Sequence, residues 1–446
     1  MVILPKISVV GLGKLGSPLL ACAAAKGFST VGYDVNDQVS ANIRKGESPV
    51  LEPGLQSLMS ANRSRIKVAD NYQTVVRETS VTFITVPTPS NANGRFSVEM
   101  VLQAVRALGK SLVKKNSYHL VVVVSTVLPG DMRQNILVEL EQASSKKCGK
   151  DFGLCYNPAF IALGNVIHDL LNPDFVLIGE SDQRAGKELA DFYEVFCDNK
   201  PNLLRMNWVN AELAKIAINT YVTTKISFAN MLAEMSEVLP NADVEVVTKA
   251  LANDRRINPA YFRGALGYGG PCFPRDNLAL GALAKELGLQ ANIAEATDQI
   301  NRRQAFRVIK RIEPYLKKQT KVLILGMSYK PKTNVIESSQ SIDIVNELLE
   351  LNALVEVYDP LALEAAKQKL GHRVLYANSL EQGVRKADII ILATPDQTFL
   401  QLMGFKFKSE TKKVLLDCWR LLDEKRLDKS IQYLALGRGR TVRKPA

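Results

Sequence analysis

Histidine is scarce and cysteine is dispersed. The 446-residue chain has three histidines and six cysteines, at 22, 148, 155, 197, 272 and 418, with no CxxC and no cluster of Cys and His. This excludes a zinc-ribbon or disulfide framework. No metal is expected, and most of the thiols read as packing residues in a reducing cytoplasm. Long apolar runs are also missing. Leu120–Val124 and Ile389–Ala393 are strand-length, far below the roughly 20 residues of a membrane span. The apolar run after Lys6 is broken by glycines and no small-residue cleavage site closes it, so no secretory signal is read. A cytoplasmic protein without a membrane partner is expected.

What remains is an ordinary globular composition, 46% apolar and 23% charged, long enough for two or three domains with sizeable cores. The net charge of +12 is spread along the chain. Only Arg438–Lys444, Lys317–Lys318 and Lys412–Lys413 are locally basic, and these read as solvated surface. No aromatic stacking set or recognition helix accompanies them, so nucleic acid is not an expected partner. An anionic small substrate gives the excess charge a second use.

The first forty residues carry a specific pattern. Strand 6–10 runs into Gly11-Leu-Gly13-Lys-Leu-Gly16, an apolar helix follows to Ala25, and a strand 30–33 ends at Asp34. Strand, glycine turn, helix and terminal acid in one βαβ unit form a dinucleotide site. Gly11 permits the turn, Gly13 lets backbone approach a pyrophosphate, and Gly16 lets the helix pack on the strand. The helix N-terminus attracts the phosphates. Asp34 accepts from ribose hydroxyls and repels a 2′-phosphate, which predicts NAD over NADP. Apolar segments 80–86 and 120–126 extend a parallel sheet, and their ends, at Val86-Pro-Thr88-Pro and Ser125-Thr126, face the cofactor crevice. Strand 174–179 continues the domain.

From Asn210 to Val238 apolar residues recur at helical spacing without proline or glycine, and helices at 243–252, 276–287 and 292–312 follow. The long helix fits either a dimer interface or a buried domain-linking element. The first theme then returns: strand 321–326, helix 340–351, strand 353–358 ending at Asp359, and an apolar strand running into Thr394-Pro395. This second α/β region lacks GxGxxG, so a different ligand is expected there.

Gly267-Tyr-Gly-Gly-Pro-Cys272-Phe-Pro-Arg-Asp276 is the segment richest in chemistry. A helix starting near Pro274 stabilises a Cys272 thiolate through its dipole, Arg275 adds positive charge, and the glycines admit a substrate to the sulfur. A buried structural cysteine in a tight loop is the other reading. Lys215 and Asn219 share one helix face among apolar neighbours; the lysine either snorkels to solvent or points into a site.

These segments, with GLGKLGSP, YDVN, SPVLEPGL, VPTP, STVLPG, NPAF, AELAKIAIN, GMSYKPKTN, VYDP and LDCWR in order up to about Asp423, resemble the UDP-glucose/GDP-mannose dehydrogenase family. The resemblance implies an α/β fold of two Rossmann-like doubly wound domains joined by a central helical domain with a long helix, divided as 1–205, 206–304 and 305–446. It implies removal of two hydrides in turn from C6 of a nucleotide sugar, UDP-glucose first of all, by two NAD⁺. N-acetylated UDP-sugars, GDP-mannose and GDP-heptose are the alternatives. Cys272 captures the aldehyde as a thiohemiacetal that becomes a thioester. Lys215 and Asn219 stabilise the C6 oxygen, while Asp276 and Thr126 hold the water for proton transfer and hydrolysis. The implied cofactor contacts are Gly11, Gly13, Leu15, Gly16, Asp34, Val86, Thr88 and Thr126. The substrate contacts implied are Phe160, Ile161, Arg263, Tyr268 and Gly269 along the sugar and phosphates, and Tyr329, Lys330 and Arg420 at the nucleotide. Arg256 reaches into the partner subunit's site of a homodimer.

Departures from the family pattern matter as much. The family's NPEF glutamate is Ala159 here, which can neither accept a proton nor orient water. It is either native, giving a binding protein without turnover, or an introduced substitution, which the retention of every other catalytic position favours. Leu163 and Glu337 stand where many members carry a glutamate and an arginine, so neither cofactor role is transferred. Phe175 replaces a family arginine. A β-hydroxyacid dehydrogenase also joins a Rossmann-like domain to helices, but the second α/β region and Cys272 oppose that reading.

Overall fold

The structure, a computed structural model, describes residues 4–407 and 412–440. It forms two compact units, Met1–Ala217 and Ile218–Ala446. Residues 441–444 of the basic tail lie outside the described residues.

The first unit is built on one eight-stranded sheet: β1 (Ile7–Val10), β2 (Thr30–Tyr33), β3 (Ile66–Val68), β4 (Val81–Ile84), β5 (His119–Val123), β6 (Phe152–Tyr156), β7 (Phe175–Glu180) and β8 (Asn202–Asn207), in the order β3-β2-β1-β4-β5-β6-β7-β8. Ile7 of β1 registers with Thr30 on one side and Val81 on the other. All pairs are parallel except β6–β7, which runs antiparallel through Cys155–Glu180 and Tyr156–Gly179. β1, β4 and β5 are buried throughout, as parallel strands covered on both faces must be. Alternate residues feed opposite cores. Val9 and Phe83 join Leu20, Phe28 and Phe192 on one face; Val10 and Ile84 join Val105, Leu108 and Val121 on the other. The strand order reverses between β1 and β4, which opens a crevice at their carboxyl ends.

The second unit contains the later part of the long helix Trp208–Val238, then helices Val244–Ala252, Phe273–Glu286, Asn292–Arg302 and Gln304–Ile312. The last two, expected as one, are interrupted at Arg303. A six-stranded parallel sheet follows: β9 (Lys321–Leu325), β10 (Leu354–Tyr358), β11 (Leu375–Tyr376), β12 (Ile389–Leu392), β13 (Lys413–Asp417) and β14 (Ile431–Ala435), ordered β11-β10-β9-β12-β13-β14. Its order repeats that of the first six positions of the other sheet.

Two basic segments differ from the solvated surface expected. Lys413 is buried, and its ammonium donates to the carbonyls of Arg385 (3.0 Å) and Ala387 (2.5 Å), covering the end of helix Leu380–Lys386. Arg438 pairs with Asp243 (3.2 Å) and Glu424 (3.7 Å), so the start of the basic tail is fixed to the helices.

Beneath the first sheet, at the amino ends of β1, β4 and β5, Ser8, Thr79, Thr82 and His119 form a buried polar chain. Ser8 Oγ meets Thr82 Oγ1 at 2.7 Å, and Thr82 Oγ1 meets His119 Nε2 at 2.8 Å. Burial, aided by the Lys115 ammonium, pushes the imidazole down to about 3. The folded protein therefore cannot take up the proton that His119 of the unfolded chain binds below about 6.5. Stability is expected to fall by up to about 1.4 kcal/mol per pH unit from this group as pH drops from about 6 toward 3. Urea midpoints of the protein and of His119→Asn at pH 7 and 5 measure it, and equal pH dependence in both excludes the assignment.

Candidate functional site

In the first unit the glycine turn has the geometry a dinucleotide needs. Gly11 adopts φ +91° and its N–H donates to Tyr33 O, so β1 turns sharply at its end. A Cβ on Gly16 would lie 1.9 Å from Gly11 O, whereas one on Gly13 would meet nothing within 4 Å. The helix Gly16–Ala25 is thus clamped onto the strand, while the backbone at Gly13 stays open to an incoming pyrophosphate. Leu15 packs against the core below. Asp34 Oδ2 accepts from Leu12 N–H at 2.6 Å and Oδ1 from Asn36 N–H at 2.8 Å. The carboxylate braces the turn and is only half-buried, leaving lone pairs for a ribose. These residues fit NAD.

The strand ends beside this turn are laced together. Thr88 Oγ1 donates to Thr126 O (2.8 Å), Ser125 Oγ donates to Val86 O (2.6 Å), and Thr85 Oγ1 donates to Gly11 O (2.6 Å). Farther along, Lys215 is buried; its Nζ donates to Ala159 O at 2.9 Å and stands 4.4 Å above the Phe160 ring. It turns inward rather than snorkelling. Phe160 packs on Phe175 at 4.9 Å, which gives the unexpected Phe175 a physical role, and Ile161 and Leu163 join the apolar core.

Two buried glutamates in recognised motifs had no role assigned from sequence. Glu52 accepts from the N–H groups of Gly164 (2.9 Å) and Val166 (2.7 Å), holding the loop that follows Ala159. Glu212 accepts from Gly130 (2.9 Å) and Met132 (2.8 Å), holding the turn after Thr126. An acid inside an apolar motif is the sequence signal that could have found them.

In the second unit Cys272 is exposed at the start of helix Phe273–Glu286, which has proline in its first turn. The other thiols are inert by comparison. Burial pushes Cys22 up to about 12 and Cys197 to about 11, and raises Cys148, Cys155 and Cys418 as well. Asn219 donates to Asp276 at 2.6 Å, and Asp276 is buried one turn into the helix. A Cβ on Gly269 would lie 2.2 Å from Ser338 O, and one on Gly270 would lie 2.5 Å from the Tyr329 ring. The glycine loop therefore lies against the segment after β9. Burial and the neighbouring Cys272 and Tyr261 push the Tyr329 hydroxyl up, and the Lys330 ammonium stands 5.9 Å from its ring.

Other expected contacts are engaged internally. Tyr268 is buried, donates to Asp298 and accepts from Asn277 at 2.9 Å. Arg420 is buried, donating to Leu436 O (2.6 Å) and Gly264 O (2.5 Å) and pairing with Glu245 at 3.4 Å. Arg263 also pairs with Glu245, at 3.0 Å. Arg256 is exposed and chelated by Asp254 two residues before it.

The turn after β9 is closed by its acid. Asp359 occupies the place that Asp34 has in the first unit, but Oδ2 accepts from Met327 (2.7 Å) and Ser328 (3.0 Å) N–H, and Oδ1 from Leu361 and Ala362 N–H. It is buried and saturated.

A dinucleotide turn that fits NAD within this α/β architecture defines an NAD-dependent oxidoreductase. Comparison with known proteins specifies which. The NAD binding, central and UDP binding domain models of the UDP-glucose/GDP-mannose dehydrogenase family match residues 5–197, 209–303 and 323–424. A UDP-glucose 6-dehydrogenase of Haloferax volcanii is 30% identical over 94% of this chain and 97% of its own length. A GDP-mannose 6-dehydrogenase of Pseudomonas putida is 30% identical over 93% and 100%. A UDP-glucose dehydrogenase structure from Pyrobaculum islandicum is 32% identical, covers 96% of this chain and 97% of that one, and superposes with a TM-score of 0.88. The chain belongs to the UDP-glucose/GDP-mannose dehydrogenase family. It is a nucleotide-sugar 6-dehydrogenase by class, with NAD as cofactor and a nucleotide sugar as substrate.

Gly16→Ala is expected to weaken NAD binding about tenfold or more, since overpacking of this kind costs about 1–3 kcal/mol; titration of the purified protein measures it. Brief iodoacetamide treatment of the folded protein at pH 8 is expected to label Cys272 ahead of the other five thiols, as read by peptide mass spectrometry.

Proposed function

We propose that this enzyme oxidises UDP-glucose to UDP-glucuronate through a thioester on Cys272. The observation that carries the reading is that Cys272 is the exposed cysteine, set on a glycine loop at a helix start, while the other thiols are buried or half-buried. NAD⁺, when bound, supplies the hydride acceptor. The C6 alcohol first gives up a hydride to the acceptor and its hydroxyl proton to water, becoming the aldehyde; the Cys272 sulfur then adds to that carbon and the thiol proton passes to the carbonyl oxygen, giving a thiohemiacetal. Loss of a second hydride from that carbon to a second NAD⁺, together with the hydroxyl proton, leaves the thioester, and water cleaves it to the acid and regenerates the thiol. Lys215 and Asn219 hold the C6 oxygen during these steps. Asp276 and Thr126 hold the water. A uridine nucleotide is favoured because the segments around Tyr329-Lys330 and Arg420 resemble the UDP-using branch of the family, although the Arg420 guanidinium itself is held internally. Similarity to UDP-glucose dehydrogenases of Haloferax and Pyrobaculum supports that choice; equal identity to the GDP-mannose enzyme of Pseudomonas putida supports GDP-mannose as the second reading.

Ala159 offers no carboxylate for the hydrolytic water, so we place the deficiency of this chain at thioester hydrolysis. We also assign the NAD-binding, helical and nucleotide-binding parts to 1–205, 206–304 and 305–446, and the reaction to the cytoplasm. Among the described residues no helix is long and apolar enough to cross a membrane.

A homodimer completes the proposal. Tyr221, Phe228 and Met235 recur every seven residues on the long helix with 64%, 45% and 51% of their surface exposed, an apolar stripe suited to a second copy.

Ala159→Glu is expected to raise NADH formation from UDP-glucose about 100-fold or more, with two NADH per sugar. No gain across UDP-glucose, N-acetylated UDP-sugars and GDP-mannose would defeat both the Ala159 assignment and the substrate reading. Light scattering tests the dimer: the protein should elute at twice the 49.2 kDa chain mass, and Phe228→Asp should elute as a monomer.

A further inference from the structure

The stretch from Gly264 to Gly270 is neither helix nor strand, yet it is held as firmly as one. Asn230, fully buried on the long helix, accepts from Ala265 N–H at 2.8 Å and donates to Leu266 O at 3.2 Å. Asn301, buried on helix Asn292–Arg302, accepts from Tyr268 N–H at 2.8 Å and donates to Tyr268 O at 3.0 Å. A primary amide presents one donor and one acceptor side by side, so each asparagine pairs with the loop backbone as a neighbouring strand would. Buried peptide groups need such partners. The glycines mark where the loop is pressed against its surroundings. A Cβ on Gly264 would lie 2.5 Å from Ala229 O, and one on Gly267 would lie 2.2 Å from Asn301 Oδ1. Gly270 N–H is tied to Glu337 O at 2.9 Å. The Tyr268 side chain adds an anchor through Asp298 and Asn277, and Asn277 in turn accepts from Thr223 at 3.0 Å.

We propose that Asn230 and Asn301 are positioning residues: their side-chain amides act as two clasps that fix the glycine loop, and thereby set the Cys272 sulfur at the helix start. The consequence for turnover rests on Cys272 as the nucleophile, but the clasps themselves do not.

Hydrogen exchange on the full chain tests the clasps directly. The amides of Ala265 and Tyr268 should exchange at rates comparable to those of the flanking helices, and exchange at exposed-loop rates overturns the proposal without any variant. Asn301→Asp and Asn230→Asp keep the volume and one acceptor but lose the donor. Each should speed exchange in 264–270 while leaving the first unit and its NAD affinity unchanged. Each should slow iodoacetamide labelling of Cys272 by about threefold, as its sulfur leaves the helix-terminal field. In the Ala159→Glu protein, Asn301→Asp should lower kcat about tenfold or more with the NAD KM unchanged. Unaltered exchange and labelling in both variants overturns the proposal. Altered exchange and labelling in a protein that turns over no nucleotide sugar sustains the clasps and defeats the catalytic reading of Cys272.

Discussion

A backbone that must pass close to other backbone cannot carry side chains, and a backbone without side chains has little of its own to hold it in place. Both ends of this molecule's chemistry meet that constraint. At Gly16 the first helix lies so near Gly11 that a single methyl group would overlap the carbonyl oxygen. Between Gly264 and Gly270 the loop lies against Ala229, Asn301, Ser338 and Tyr329 with no room for a Cβ at four positions. In each case polar groups from elsewhere do the fixing: the Asp34 carboxylate on Leu12 in the first, and the asparagine amides in the second. The conformational freedom that makes glycine costly in a fold is removed by hydrogen bonds to neighbouring elements.

Buried carboxylates extend the same logic. Glu52 and Glu212 each accept from two backbone N–H groups in turns that follow strand ends. Irregular loops that carry function need their amides satisfied without regular pairing, and one carboxylate satisfies two. Desolvation raises the proton affinity of Glu212 while the two N–H groups oppose it.

Much of this was legible in the sequence. Strands such as β1, β4, β5 and β12 announce themselves because parallel strands buried on both faces are continuous apolar runs. The glycine turn and Asp34 specify the cofactor because each residue does one physical job there. Edge strands gave no such sign. In β8 only Leu203 and Met206 are partly covered and Leu204 is exposed, and β3 and β11 have three and two residues. Lys413 misled because a lysine pair looks like surface, and only the carbonyls at a helix end explain a buried ammonium. Asn230 and Asn301 were illegible for a different reason. An asparagine inside a helix has no periodic signature, and its partner lies 35 and 33 residues away along the chain. Cys272, by contrast, stood out because its glycines and prolines are local.

The saturated Asp359 bears on how the two sheets came to do different work. They share a strand order and a glycine followed by an acid at the next strand's end, yet only one acid keeps capacity to spare. Because Asp359 closes on four backbone N–H groups of its own two turns, restoring a glycine fingerprint after β9 would not recreate a ribose site. The neighbouring turn at Leu361–Ala362 would have to be released as well, and with it the start of the following helix. A repeated architecture is thus locked out of its partner's ligand twice, by the missing glycines and by the closed hydrogen bonds of Asp359, which makes the specialisation of the second half difficult to reverse by point substitution.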